Sequence, residues 1–390
     1  QNIPWTGGSL FLETSAQRMD LFSEHKYSWQ TSPIMIGYRQ SLFGYNSLKW
    51  DKRIEPVRYQ EAKKNYVETL ELVSANAINK FFALATAQSN YDIASFNYAN
   101  ADTLYRYAQG RYNIGTITEN EMLQLELNRL TEETNRMNAR IEMDNCMQEL
   151  RSYLGIQEER EIRVRVSSRI PNFSINLNEA LALAYENSPD IQTMKRRKLE
   201  SESAVARARA NAGLKADIYL RFGLTQTADK LPEAYRNLLD QQYVSLSISL
   251  PILDWGRGKG QVRVARSNRD LVYTQVEQSR TDFELNVRKL VKQFNLQTQR
   301  VRIAARTDET AQRRNEVARK LYILGKSTIL DLNASISEKD SARRNYVSAL
   351  YNYWSLYYTL RSMTLYDFES NKLLTCLLYT SPSPRDRTRS

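Results

Sequence analysis

Few side chains in this sequence could carry out covalent or proton-transfer chemistry. In 390 residues there is one histidine, His25, and there are two cysteines, Cys146 and Cys376. A zinc site, a disulfide framework or a histidine-based acid–base centre therefore lacks material. The one glycine-rich segment, Gly256-Arg-Gly-Lys-Gly260, has neither the spacing of a phosphate-binding loop nor its closing Ser or Thr, and reads as a flexible strand-to-helix link. Two carboxylates do sit at matched places. Glu121 and Asp331 each lie three residues after a threonine, Thr118 and Thr328, which itself follows a glycine turn. An acid at that spacing can return a hydrogen bond to the capping residue and favours the positive end of a helix.

The elements that must position those acids are long. From about residue 57 to 112, and again from about 261 to 324, helical periodicity runs with no interior proline and with Gly110 as the one interior glycine. At 1.5 Å per residue, a helix of ~60 residues extends about 90 Å, several times the globular mean, so an elongated helical assembly is expected. Each long helix meets a short turn and then a second helix, 118–154 and 328–366. The turns read Tyr112-Asn-Ile-Gly115-Thr116-Ile-Thr118 and Tyr322-Ile-Leu-Gly325-Lys326-Ser-Thr328. A shift of 210 residues superposes them, and it also pairs Leu150-Arg-Ser152 with Leu360-Arg-Ser362. Between 41–152 and 251–362 there are 15 identities without a gap, which indicates an internal repeat.

Strand-like sequence precedes each long helix. Ile218, Leu220, Phe222 and Leu224 alternate with Asp217, Tyr219, Arg221 and Gly223 in a strand over 216–225. Val244, Leu246, Ile248 and Leu250 alternate with Tyr243, Ser245, Ser247 and Ser249 in a second over 242–250. This period of two gives one apolar and one wet face. In the first copy the strands lie within about 9–43; Ile34, Ile36 and Tyr38 alternate, Gln40 breaks the pattern, and Pro33 and Pro251 are read as strand ends. A short helix from Asn178 and a further one from Pro189 to about Ala212 open the second copy. The expected division is a first repeat over 1–170, a second over 171–370, and a tail over 376–390 whose Leu-Leu-Tyr-Thr-Ser-Pro-Ser-Pro-Arg-Asp run looks like a translated sequencing adapter. By the same offset, the first copy is expected to lack about 35–40 opening residues together with any export signal.

Composition bounds the function classes. The net charge is +11, from 55 basic and 44 acidic residues, but the signs are interspersed, as on solvated helix faces. Mean hydropathy is −0.59, and no stretch approaches the ~20 apolar residues of a spanning helix. That excludes a helical membrane protein and leaves a β-barrel open, because barrel strands alternate.

Paired strands feeding very long helical hairpins, twice over, make this chain resemble the TolC family of outer-membrane efflux proteins. The resemblance covers Gln1 to about Glu369, and it is carried by the two turns and by the junction Ser249-Leu-Pro-Ile-Leu-Asp-Trp-Gly256. It implies an α+β chain giving four strands to a 12-stranded barrel closed by a homotrimer, with the hairpins forming an α-barrel across the periplasm. Four strands cannot close a barrel, whereas three chains of four can. Ile218, Leu220, Phe222, Leu224, Val244, Leu246, Ile248 and Leu250 would then face lipid, and Ser245, Ser247 and Ser249 the lumen. Trp29 and Trp255 would suit an aromatic girdle. Asp331 falls on the family's aperture carboxylate, with Glu121 as its counterpart, and Gly115, Thr116, Gly325 and Lys326 would meet a periplasmic adaptor. The family's second aperture acid is Ala334 here, and its basic residue after the turn is Ser327.

The implied function is a passive exit duct fed by an inner-membrane pump, with no catalysis and no cofactor. Two rivals remain at this stage. A periplasmic adaptor also has a long hairpin, but one rather than two with strands ahead of each. A nucleic-acid-binding coiled coil would use patches such as Lys195-Arg-Arg-Lys198, but it leaves the strands without a role.

Overall fold

The computed structural model of the chain describes residues 3, 5–23, 26–158, 161–168, 170–250, 253–324 and 326–374. His25, Pro251, Gly325 and the tail from 375 onward lie outside them. The order is β1 (Ser9–Leu21), β2 (Lys26–Ser41), α1 (Ser47–Asn113), α2 (Glu119–Leu154), α3 (Leu177–Asn187), α4 (Pro189–Ala212), β3 (Lys215–Ala228), β4 (Leu239–Ser249), α5 (Arg257–Ile323) and α6 (Ile329–Thr364), with a two-residue-stranded hairpin, β5 (Tyr366–Asp367) and β6 (Lys372–Leu373), closing the described chain.

The repeat is reproduced helix for helix. Helices α1 and α5 are both 67 residues long, α2 and α6 are both 36, and each pair is offset by 210. Two compact units are present, and each takes a part of both repeats: residues 1–63 with 189–282, and residues 64–188 with 283–390.

In the first unit the four strands form one antiparallel sheet in the order β1-β2-β3-β4. Its register places Leu12, Ile36 and Phe222 in one row and Leu10, Tyr38, Leu220 and Val244 in the next, with Ile218 beside Leu246. All of these lie on one face. The opposite face carries Ser9, Arg39, Tyr219 and Ser245 in a row, with Asp217 beside Ser247. Phe11 on that face lies flat over Gly37, where a Cβ would come 2.1 Å from its ring.

Several expectations need correction. Pro33 does not end a strand. It sits inside β2, where the register slips between Thr31 and Ile34, a bulge that spares it a ladder bond it cannot make. Gln40 departs from the alternation because its amide works locally: Nε2 donates to the carbonyls of Thr6 (2.7 Å) and Ser41 (2.6 Å), and Oε1 accepts from the Tyr38 hydroxyl. The first long helix starts ten residues earlier than expected, capped by Asn46 through the Lys49 N–H at 3.0 Å, and so contains Pro56. The segment 257–260 is not a flexible link but the first turn of α5. Asp254 accepts from the N–H groups of Gly256 and Gly258 at 2.9 and 2.8 Å and nucleates it.

The second unit holds α1 from Lys64 and α5 from Phe283 onward, with α2, α3 and α6. Leu84 and Ala87 of α1 pack on Met143 and Leu150 of α2, with Cys146 half-buried beside them. Aromatic side chains of α6 pack between helices: Tyr353 lies 5.1 Å from the Phe294 ring of α5 and is fully buried. The extended segment between the repeats is held by side-chain amides. Asn295 exchanges two 2.9 Å hydrogen bonds with the Ile175 backbone, and Gln88 does the same with Ile162 and Val164.

Candidate functional site: a two-faced sheet and the hairpin tips

The sheet leaves its apolar face uncovered. Val244, Leu246 and Ile248 are 68%, 61% and 65% exposed, Leu250 just beyond β4 is similarly open, and Ile34, Ile36 and Phe222 are about half exposed. Ile218, Leu220 and Leu224 are half-buried by their neighbours in the sheet. At ~25 cal/mol per Å², a row of exposed aliphatic side chains like this is costly in water and favourable in hydrocarbon. The other face is polar and aromatic: Arg39 lies over the Tyr219 ring at 5.5 Å, and Tyr219 meets Tyr243 edge-on at 6.0 Å. Both outer strands, β1 and β4, have an edge with no ladder partner among the described residues.

The two hairpin tips are copies at the level of single hydrogen bonds. At the first, Gly115 takes φ +72°, the Thr116 N–H donates to the Arg111 carbonyl at 2.9 Å, and Thr118 and Glu121 form a reciprocal capping box. At the second, the Lys326 N–H donates to the Leu321 carbonyl at 2.9 Å, and Thr328 and Asp331 form the same box. The positive φ of Gly115 suits glycine because a Cβ is strained there. Gly325, its counterpart, lies outside the described residues.

Asp331 is the more heavily engaged acid. Its Oδ2 accepts from the Thr328 hydroxyl at 2.7 Å and from the Thr328 N–H and Ser327 hydroxyl at 3.3 Å. These donors, led by the Thr328 hydroxyl, hold its carboxyl below the usual range. Ser327 thus supplies a hydrogen bond where the family resemblance implied a cation. Glu121 and Asp331 each serve their own cap, and no hydrogen bond or ion pair joins them. Around the acids the tips are apolar: Ile114 and Leu324, again 210 apart, are 73% and 67% exposed, and Leu330 is 74% exposed.

Sequence reading missed the contacts that hold the helices to one another. Tyr91, Tyr98 and Tyr105 recur every seven residues on α1, and the guanidinium groups of Arg140, Arg136 and Arg129 on α2 lie over their rings at 5.9, 4.1 and 5.5 Å. That heptad of tyrosines was the available signal. Of the basic patch 195–198, Arg196 is bonded to Glu61 and Glu200, and Lys198 to Glu277. Half of the patch is therefore spent on internal pairs.

Residues 180–364 match the family model described as "Outer membrane efflux protein". The matched stretch, from α3 to the end of α6, belongs to that family. It is a transport family, and its description places efflux at the outer membrane. Among the described residues no group of three or more His, Cys, Asp or Glu could hold a metal ion.

The fold is shared with solved outer-membrane channels. The CmeC channel of Campylobacter jejuni superposes with a TM-score of 0.74 at 15% identity, over 93% of this chain and 78% of that one. The Vibrio cholerae protein VceC gives 0.71 at 15% identity, over 92% and 86%. The open state of the Neisseria gonorrhoeae MtrE channel gives 0.70 at 14%, over 91% and 80%. No curated protein matches the sequence.

Proposed function

We propose that this efflux-family chain is one third of a homotrimeric exit duct, a passive conduit across the outer membrane and the periplasm, served by a periplasmic adaptor and an inner-membrane pump. The observation that carries this reading is the sheet with an exposed apolar face, a polar face and two unpaired edges. In a trimer, β4 of one copy pairs with β1 of the next, twelve strands close, and no edge is left. Val244, Leu246, Ile248 and Leu250, with Ile218, Leu220, Phe222 and Leu224, then face lipid, and the Arg39–Tyr219 row lines the lumen. Each repeat supplies two strands and one hairpin.

At the periplasmic end, the exposed Ile114 and Leu324 with Gly115, Thr116, Gly325 and Lys326 offer an apolar contact with a basic fringe to an adaptor hairpin. Asp331, and Glu121 less directly, bring like charges to a narrow mouth, which favours cations. The test is fractionation followed by native mass. A heat-labile species of three chains in the outer-membrane fraction supports the duct, and a soluble monomer overturns it.

A further inference from the structure

Helices α1, α5 and α6 of the second unit enclose a cavity of about 230 Å³ beside the second hairpin tip. The helical period places its walls. Asn315, Arg319 and Tyr322 stand at four- and three-residue steps on one side of α5, Leu332 and Ile336 stand one turn apart on α6, and Leu104 comes from α1. Farther from the tip the three helices are joined by Asn97–Asp340 at 2.7 Å and Arg343–Asp308 at 3.2 Å, which hold those walls in place. The volume limits what can enter. An apolar cavity of ~150 Å³ admits benzene, and sites for drug-sized molecules begin near 300 Å³, so this one has room for a single ring with small substituents.

Three polar groups in the lining lack partners. Arg319 makes no hydrogen bond or ion pair among the described residues, and no carboxylate lines the cavity. Asn315 is only 6% exposed. The Ser335 hydroxyl spends its proton on the Leu332 carbonyl at 2.7 Å, so it can only accept from Asn315, whose Nδ2 lies 3.1 Å away. That fixes which end of the amide faces Ser335 and leaves Oδ1 without a donor among the described residues. A buried acceptor in that state costs stability until something donates to it. Burial raises the pKa of the Tyr322 hydroxyl, which therefore stays a neutral donor at the cavity wall.

We propose that this cavity binds a small hydroxylated aromatic carboxylate. The Arg319 guanidinium takes the carboxylate, Leu104, Leu332 and Ile336 take the ring, and Asn315 Oδ1 accepts from the ring hydroxyl. Asn315 and Arg319 are one turn apart, ~6 Å along α5, about the separation of the two ends of a para-substituted ring. A cation would meet Arg319 with like charge, and a plain hydrocarbon would bury the guanidinium and the Asn315 carbonyl without partners. The occupant touches three helices at once, so it ties α1 to the second hairpin next to the Asp331 cap. All walls come from one chain, so the site does not depend on the homotrimer proposed above.

The test is equilibrium dialysis of the detergent-solubilised full chain against four probes: 4-hydroxybenzoate, benzoate, phenol and benzylamine. Saturable binding of one 4-hydroxybenzoate per chain is expected, with benzoate severalfold weaker, phenol about tenfold weaker and benzylamine not bound. Arg319→Gln, at an exposed position, should weaken 4-hydroxybenzoate about tenfold and leave phenol unchanged, and Arg319→Lys should recover part of the loss. Ile336→Phe, which fills the cavity, should abolish binding of all three. Bound 4-hydroxybenzoate should also slow amide exchange at Leu332. A folded chain that binds none of the probes overturns the site, as does binding that neither Arg319→Gln nor Ile336→Phe alters. Native mass on the same sample separates the two proposals: a trimer that fails to bind contradicts the site alone, and a monomer that binds as described supports the site while contradicting the duct.

Discussion

The guanidinium of Arg136 on α2 lies 4.1 Å above the ring centroid of Tyr98 on α1, at the centre of a three-step ladder that joins the first hairpin. The second hairpin solves the same problem differently. The position of Tyr98 is taken there by Asp308, which pairs with Arg343. Two copies of one unit are thus locked by unlike chemistry. Replacing Arg136 with Ala should cost about 1 kcal/mol, within the range of partly desolvated cation–π contacts, and Arg136→Lys should recover part of it. Denaturant unfolding of the detergent-solubilised protein measures both.

The capping boxes make a local prediction. Thr328→Ala removes the hydroxyl that accepts from the Asp331 N–H at 3.1 Å and should cost about 1 kcal/mol at the N-terminus of α6. Amide exchange at Asp331 and Leu332 should speed up, while exchange near Tyr353 should not change.

Acid should act on the same tip through Asp331. Its carboxyl titrates below the usual value because Thr328 and Ser327 bond its charged form. The stabilisation is therefore fully present above the unfolded pKa of about 3.9 and is lost as pH falls through the lower folded value. Exchange at Leu332 should rise in that window, and Asp331→Asn should abolish the dependence.

The sheet predicts an asymmetry between adjacent residues of β4. Leu246→Arg, on the apolar face, should cost about 2–4 kcal/mol if that face meets hydrocarbon, and should strip the protein from the outer membrane. Ser247→Arg, on the other face beside Asp217, should assemble normally. Heat-modifiable mobility of the trimer on a gel separates the two.

Close packing predicts a third site in the sheet. A Cβ at Gly223 would lie 2.2 Å from the Ile34 carbonyl oxygen, and backbone cannot yield as a flexible side chain can. Gly223→Ala should therefore destabilise by about 1–3 kcal/mol, read as a lower melting temperature of the assembled protein.

Much of this architecture was legible because it is written in periodicities. The helical period, the alternation of 244–250 and the Gly…Thr…acid turns at a 210-residue offset each report a backbone requirement that few residue types satisfy. What stayed hidden had non-periodic causes. Pro33 looked like a strand end because a bulge is fixed by both neighbours of β2 and not by β2 itself. The 257–260 segment looked loose because its order comes from Asp254, outside the run of glycines. Gln40 looked like a break because its partners, the carbonyls of Thr6 and Ser41, carry no sequence signal. At the tips, the placement of Glu121 and Asp331 was readable, and the donation from Ser327 was not.

Single-channel recording of the full chain in planar bilayers tests the duct most directly. The account predicts a long-lived conductance from a three-chain species, with weak cation preference that Asp331→Asn reduces. A correctly folded chain that inserts without conducting, or that remains a soluble monomer, would contradict it.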